Sequence, residues 1–304
     1  MTLQVQDPRL LELVDESAPV EQIATGFTFT EGPLWHPDGF LLFSDMPGDK
    51  RRRWDPDGTV TEIAVPSNKG NGMTFDNDGR LIVCEHSTSS VVRMDPDGTG
   101  SGREVLATHF DGRELNSPND VVVRSDGSLY FTDPTYGRMP GFGIEREQDL
   151  DIQGVYRIAP EGGEPQLLVD DFAQPNGLCF TADERTLYIN DTDHAHIRVF
   201  DVRDDGTLEN GRVFAESIGT GDLASGELVD GMKLDERGNV YVTGPKGVWV
   251  FADDGTHLGV IEVPENVGNV NFGGPDWNWL FMPASTSVYR VQLKVAANKL
   301  PYMR

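Results

Sequence analysis

Short apolar runs of four to seven residues recur along the whole chain, separated by clusters of glycine, proline, aspartate and asparagine at regular spacing. That pattern predicts strands joined by tight turns, with a single short helix over residues 9–15. A longer repeat organises the runs. A polar opening residue, a short strand, a turn built on Asp, Asn and Gly, and a second apolar run recur from Glu31, Asn71, Asn119, Asn176 and Asp230, and in degraded form from Gly268. The copy at Asn176 carries one extra residue in its turn. Successive starts lie 40, 48, 57, 54 and 38 residues apart, a period that fits the blades of a propeller better than a sandwich. In the second repeat, strands are expected over residues 72–76, 81–85, 91–95 and 104–108. The last repeat offers three, near 269–273, 279–282 and 288–293. The unassigned run at 20–25 is expected to supply the fourth, because closing the ring removes exposed strand edges. The predicted architecture is all-β: a six-bladed β-propeller of four-stranded antiparallel blades, the last completed by an N-terminal strand. It forms one domain over residues 1–304, with 1–19 as an N-terminal extension.

In a propeller the first strand of each blade lines the central channel. The opening residues of the repeat therefore form a ring at one mouth: Glu31, Asn71, Asn119, Asn176, Asp230 and Gly268. Antiparallel pairing brings the ends of the second strands to the same mouth, with Asp45, His86, Asp133, Asn190 and Asp191. The loop over residues 133–153 is the longest there and is expected to cover the opening. Hard divalent cations take carboxylate, amide and water oxygens, which Glu31, Asp230, Asn176 and Asn119 offer. The ring holds no cysteine or histidine, so a Cys/His zinc centre is disfavoured. Without a metal, the same residues would cap strand ends and hydrogen-bond a water-filled channel.

The formal charge of −25 argues against binding nucleic acid or an anionic membrane, both of which need a basic face. Much of the acid sits in turns such as Asp55-Pro56-Asp57-Gly58, and no turn continues into a twelve-residue calcium loop. Scarce lysine beside abundant acid suggests a salty cytoplasm. No apolar run approaches a membrane span, and no signal peptide opens the chain, so the expected location is cytoplasmic. Cys84 and Cys179 are read as buried thiols. His194 and His196 are read as surface or packing histidines, and Arg51 to Arg53 as a solvated or paired basic cluster. The loop at Gly98 to Gly102 is read as a hairpin, since it opens no helix. No GxSxG, Walker loop or HExxH is present.

Five motifs carry a resemblance: Thr30-Glu31-Gly32-Pro33-Leu34-Trp35, Asn116-Ser117-Pro118-Asn119-Asp120, Phe131-Thr132-Asp133-Pro134, Gln174-Pro175-Asn176-Gly177-Leu178 and Val229-Asp230-Gly231-Met232. In this order, over residues 27–293, they are similar to those of the regucalcin/gluconolactonase (senescence marker protein-like) family. The resemblance implies a propeller enzyme that binds one divalent metal and hydrolyses lactones of aldonic acids, such as gluconolactone or a pentonolactone. Carried over by residue, the metal ligands fall on Glu31, Asn176 and Asp230, and the channel asparagine that meets substrate on Asn119. Calcium is the first expectation, with magnesium, manganese, zinc or iron(II) as alternatives. Asp230 is the expected general base, with its direct attack on the carbonyl less favoured. His86, Asp133, Tyr136 and Asn190 are candidate substrate contacts at the mouth. Ser117 stands where animal members have an arginine, which leaves recognition of the sugar hydroxyls open. Asn71 and Gly268 are expected to leave space or bind water. The expected partner is a small sugar lactone, for a monomer or homodimer. Two other readings share the ring: an organophosphate or phosphoester hydrolase, and a calcium-binding propeller without turnover.

Overall fold

Every residue of the strands Thr30–His36, Gly70–Phe75 and Pro175–Phe180 is buried, so these strands need cover on both faces. The structure, a computed structural model describing residues 3–222 and 225–303, supplies that cover by packing sheets face to face round a ring. Blade I comprises Thr30–His36, Phe40–Asp45, Lys50–Trp54 and Val60–Ala64, and blade II Gly70–Phe75, Leu81–Glu85, Ser90–Met94 and Glu104–Ala107. Blade III comprises Val121–Val123, Leu129–Thr132, Gln153–Ile158 and Gln166–Phe172, and blade IV Pro175–Phe180, Thr186–Asp191, His196–Val202 and Leu208–Ala215. Blade V is built from Met232–Leu234, Val240–Gly244, Gly247–Phe251 and His257–Glu262, and blade VI from Asn271–Gly273, Trp279–Pro283 and Ser287–Gln292. All pairing within blades is antiparallel, and the inner strands touch in sequence order, the sixth against the first. The core divides accordingly into six apolar clusters, one between each pair of neighbouring blades. Between blades I and II, for example, Leu34 and Leu42 meet Met73, Phe75 and Val83. Each such side chain is worth about 1.5–3 kcal/mol when fully buried.

The expected closure is present: Glu21–Thr25 pairs with Ser287–Gln292 and completes blade VI. The extension before it is also structured. Leu3–Val5 adds a fifth strand to blade V, and the short helix Leu10–Leu13 packs into the cluster between blades V and VI. The aspartate-rich turns behave as hairpin chemistry requires. Asp57, Asp76, Asp97, Asp205 and Asp254 each accept the backbone N–H two residues on. Cys84 and Cys179 are buried free thiols. Arg51 is fully buried and donates to Gly98 O at 2.8 Å, tying the glycine-rich hairpin to blade I. Arg52 pairs with Asp45 and Glu62, and Arg53 with Asp55.

The inner ring is stitched from blade to blade at the opening residues. Ser44 Oγ donates to Asn71 O, Gly72 N to Asn119 O, Thr132 Oγ1 to Asn176 O, Asn190 Nδ2 to Asp230 O and Gly231 N to Gly268 O. The sixth junction is made by Asn269 Nδ2 to Glu31 Oε2 at 3.0 Å. This requires close backbone approach, and the residue after the opening position is glycine in four blades. A Cβ on Gly177 would lie 2.4 Å from Asp230 O, and one on Gly32 2.0 Å from Asn71 O. The far mouth is closed by the C-terminal segment: Asn298 N donates to Leu234 O, its Nδ2 to Phe180 O, and Met303 is buried. The channel is therefore a cup with one opening.

Gly177→Ala is expected to lower stability by more than about 2 kcal/mol, because backbone rather than a movable side chain opposes the new methyl group. Gly58→Ala, with positive φ but open space around it, should cost only about 1 kcal/mol. Urea unfolding of both variants checks this; equal midpoints would show that the junction has slack.

Candidate functional site

All six opening residues line one cavity of about 130 Å³ at the open mouth. Glu31, Asn71, Asn119, Asn176 and Asp230 contribute side chains, and Gly268 leaves room beside Glu31. Each is held from behind. Among the described residues Glu31 is held through Oε2, which accepts Gly32 N at 2.7 Å and Asn269 Nδ2. Asn176 Nδ2 donates to Thr192 Oγ1 at 3.1 Å, and that hydroxyl in turn donates to Val229 O. The amide is thereby oriented, leaving Asn176 Oδ1 buried without a partner. Asp230 is fixed through its backbone, with N donating to Thr243 Oγ1 and O accepting from Asn190. Its carboxylate is driven well above the usual range by burial and then by the charges of Glu31 and Asp120. Burial likewise pushes Glu31 up to about 7. Two carboxylates that resist ionisation and the amide oxygens of Asn176 and Asn71, both buried without a hydrogen-bond partner among the described residues, line one cavity and make a donor set suited to a hard divalent cation.

Two further expected residues reach the cavity. His86 donates from Nδ1 to Phe142 O at 3.0 Å, so its Nε2 accepts from Asn71 Nδ2 at 3.2 Å. Asn71 is thus engaged with His86 rather than merely leaving space. Burial depresses the imidazole to about 4 and keeps it neutral. Tyr136 lies on the 3₁₀ turn Tyr136–Arg138, and its buried hydroxyl makes no hydrogen bond of normal geometry among the described residues. Both Tyr136 and Phe142 belong to the long loop after Asp133, which covers the mouth as expected. Phe142 meets Phe29 edge-on at 5.9 Å, and Lys69 Nζ donates to Gly141 O at 2.9 Å.

The remaining three candidates stand behind the wall. Asp133 accepts Asn116 N and Ser117 N at 2.8 and 2.7 Å, pinning the approach to Asn119. Asp45 and Asp191 do the same for blades I and IV. Ser117 Oγ donates to Pro134 O and accepts Gly137 N, anchoring the covering loop. Asn190 holds the Asp230 carbonyl. Sequence reading missed Phe29, Met46, Leu228, Asn266, Val267 and Ser285, which supply most of the remaining wall. Phe29, Leu228 and Asn266 share an address two residues before the opening position, a signal present in the repeat but overshadowed by its polar members. Among the described residues, no lysine or arginine lines the cavity.

A second cluster, Asp191, His194 and His196, brings its ligand atoms within 4.8 Å of one another. His194 Nδ1 donates to Asp191 Oδ2 at 2.8 Å, and the same carboxylate already accepts three backbone N–H groups, from Ala173, Gln174 and His194. His194 is exposed and stacks on the half-buried His196 at 5.4 Å between ring centroids, while Asp191 also ties down the backbone of its blade.

Because the folded pKa of His86 lies below the unfolded value near 6.5, the unfolded chain takes the proton first as pH falls. The stability this residue contributes is complete above about pH 6.5 and gone once pH passes below about 4. The stability difference between wild type and His86→Gln should therefore shrink by about 3 kcal/mol between pH 7 and pH 4, in chelator. A difference independent of pH in urea titrations would mean that the ring is wetter than its burial implies.

The family described as SMP-30/Gluconolactonase/LRE-like region matches residues 29–286, nearly the whole propeller. A gluconolactonase of Zymomonas mobilis is 33% identical, with 94% of this chain and 85% of that protein covered. A pentonolactonase of Haloferax volcanii is 28% identical, with 86% and 82% covered. The solved gluconolactonase structure from Xanthomonas campestris superposes with a TM-score of 0.88 at 32% identity, over 96% of this chain and 95% of that one. Matched by this family over residues 29–286, and 33% identical to one of its named gluconolactonases over 94% of its length, the chain belongs to the SMP-30/gluconolactonase/LRE-like family.

Proposed function

We propose that the chain hydrolyses a sugar lactone with the help of one divalent cation held by Glu31, Asn176 and Asp230. The observation that carries this reading is the ring itself: the unpaired buried amide oxygens of Asn176 and Asn71 beside two carboxylates in one dead-ended cavity. The family's named gluconolactonase and pentonolactonase relatives support the substrate class. The described lining offers no lysine or arginine to a phosphate group, which favours the lactone over the phosphoester reading.

A bound divalent cation supplies a Lewis acid for the lactone carbonyl and acidifies water. The chain's own residues do the rest. Asp230, whose carboxylate borders the cavity, accepts a proton from the water whose oxygen bonds to the carbonyl carbon. The ring C–O bond breaks, and the departing alkoxide oxygen takes the proton back, giving the hydroxy acid. Asn119 orients the lactone, while the Tyr136 hydroxyl and Asn71 offer hydrogen bonds to its hydroxyl groups. The loop carrying Tyr136 and Phe142 limits access of bulk water.

Metal-stripped protein assayed with several aldonolactones and a phosphotriester, then resupplied with Ca, Mg, Mn, Zn or Fe(II), tests the reading. Lactone turnover restored by a metal is expected, with Asp230→Ala inactive; lactone turnover with none of them would refute it. Protons should compete with the cation for the two raised carboxylates. Apparent calcium affinity, measured calorimetrically, is therefore expected to fall by about tenfold per pH unit below about 7 for each proton displaced. Affinity that stays flat from pH 8 to 5 would move the cation away from Glu31 and Asp230.

A further inference from the structure

The residue after the opening position is glycine in blades I, II, IV and V, and the two exceptions are Asp120 and Asn269. Asn269 has a visible purpose, since it holds Glu31. Asp120 is buried, and its Oδ1 accepts Val121 N, but its Oδ2 has no hydrogen-bond partner among the described residues. The cationic group beside that oxygen is Lys233 Nζ, at 3.7 Å. Lys233 sits at the fourth position of blade V, one layer below the ring, where the counterparts in the other blades are Leu34, Thr74, Val122, Cys179 and Asn271. Among the described residues its ammonium otherwise donates only to Met232 O, and the tail segment with Asn298 and Met303 closes the channel beneath it. A lysine is thus placed in a layer whose other members are uncharged, against a carboxylate placed where the repeat calls for glycine.

A buried ion pair adds little net stability, because desolvation offsets its attraction. The pair nevertheless sits directly beneath the ring: Asp120 follows the opening residue Asn119, and Lys233, on the inner strand Met232–Leu234, lies three residues after Asp230. With Glu31, Asp230 and Asp120 ionised, three carboxylates and one ammonium leave two negative charges, the complement of one divalent cation. We infer that Asp120 and Lys233 are positioning residues that set the charge of the cup to match a divalent ion, without touching it. This inference rests on the reading of the ring as a metal site.

Calorimetric titration of chelator-treated protein with calcium at pH 8 tests it, with circular dichroism confirming the fold of each variant. Asp120→Asn removes one negative charge at constant shape and should weaken calcium binding by roughly tenfold. Adding Lys233→Met to that variant restores the balance and should bring affinity back to within about threefold of wild type. Lys233→Met alone should bind calcium at least as tightly as wild type. A merely structural pair would give the opposite result: Lys233→Met would bind more weakly than wild type, and the double variant no better than Asp120→Asn. Either outcome overturns the inference, as does unchanged affinity in Asp120→Asn. Should Asp120→Asn fail to fold, Lys233→Met decides alone, weaker binding counting against the inference and equal or tighter binding for it. A wild type that binds no calcium, magnesium, manganese or zinc would overturn the metal reading and this inference together, a result distinct from any pattern among the variants.

Discussion

The hydrogen bonds that join each inner strand to the next at the opening residue of the repeat hold the site in shape. They consume backbone carbonyls at five junctions and the Glu31 carboxylate at the sixth. With the backbone committed sideways, the side chains of the opening residues are left to face the axis. The glycines that follow are the other half of the arrangement, since a side chain there would push neighbouring blades apart. A polar ring in the middle of a protein then becomes a consequence of how the blades are joined. Chemistry enters through which oxygen-bearing residue occupies each address.

Burial makes that ring reactive. The tail seals one mouth and the loop after Asp133 narrows the other, so Glu31, Asp230 and Asn176 face little water. Carboxylates in such a place hold protons until something positive replaces them. Residues behind the wall share the labour: Asp133 and Ser117 fix backbone and loop, Asn190 fixes Asp230, and Thr192 turns the Asn176 amide toward the cavity. Several polar residues near the mouth thus act through position rather than contact.

Much of this was legible in the sequence because one period governs it. The repeat located the blades, the closing strand at residues 20–25 and the ring, since each depends on local patterning alone. Strand ends differ by a residue or two, as at Gly70–Phe75 against the expected 72–76, because ladder bonds run on into the junctions. What stayed hidden depends on contacts between distant segments. Leu3–Val5 is too short to announce itself and is a strand only because Gly259 to Ile261 offers it an edge. Arg51 reads as surface charge until Gly98 O is seen to bury it. Ser117 and Asp133 sit near the mouth by topology, yet point into the backbone that supports it. Lys233 and Asp120 are 113 residues apart in the chain, and only ring closure brings them together.

Anomalous diffraction from crystals soaked in a manganese salt puts the ring account to its most direct test. A single strong peak at the floor of the cup is expected, within roughly 2.5 Å of oxygens from Glu31, Asn176 and Asp230. A peak beside Asp191, His194 and His196 with none in the cup would contradict it.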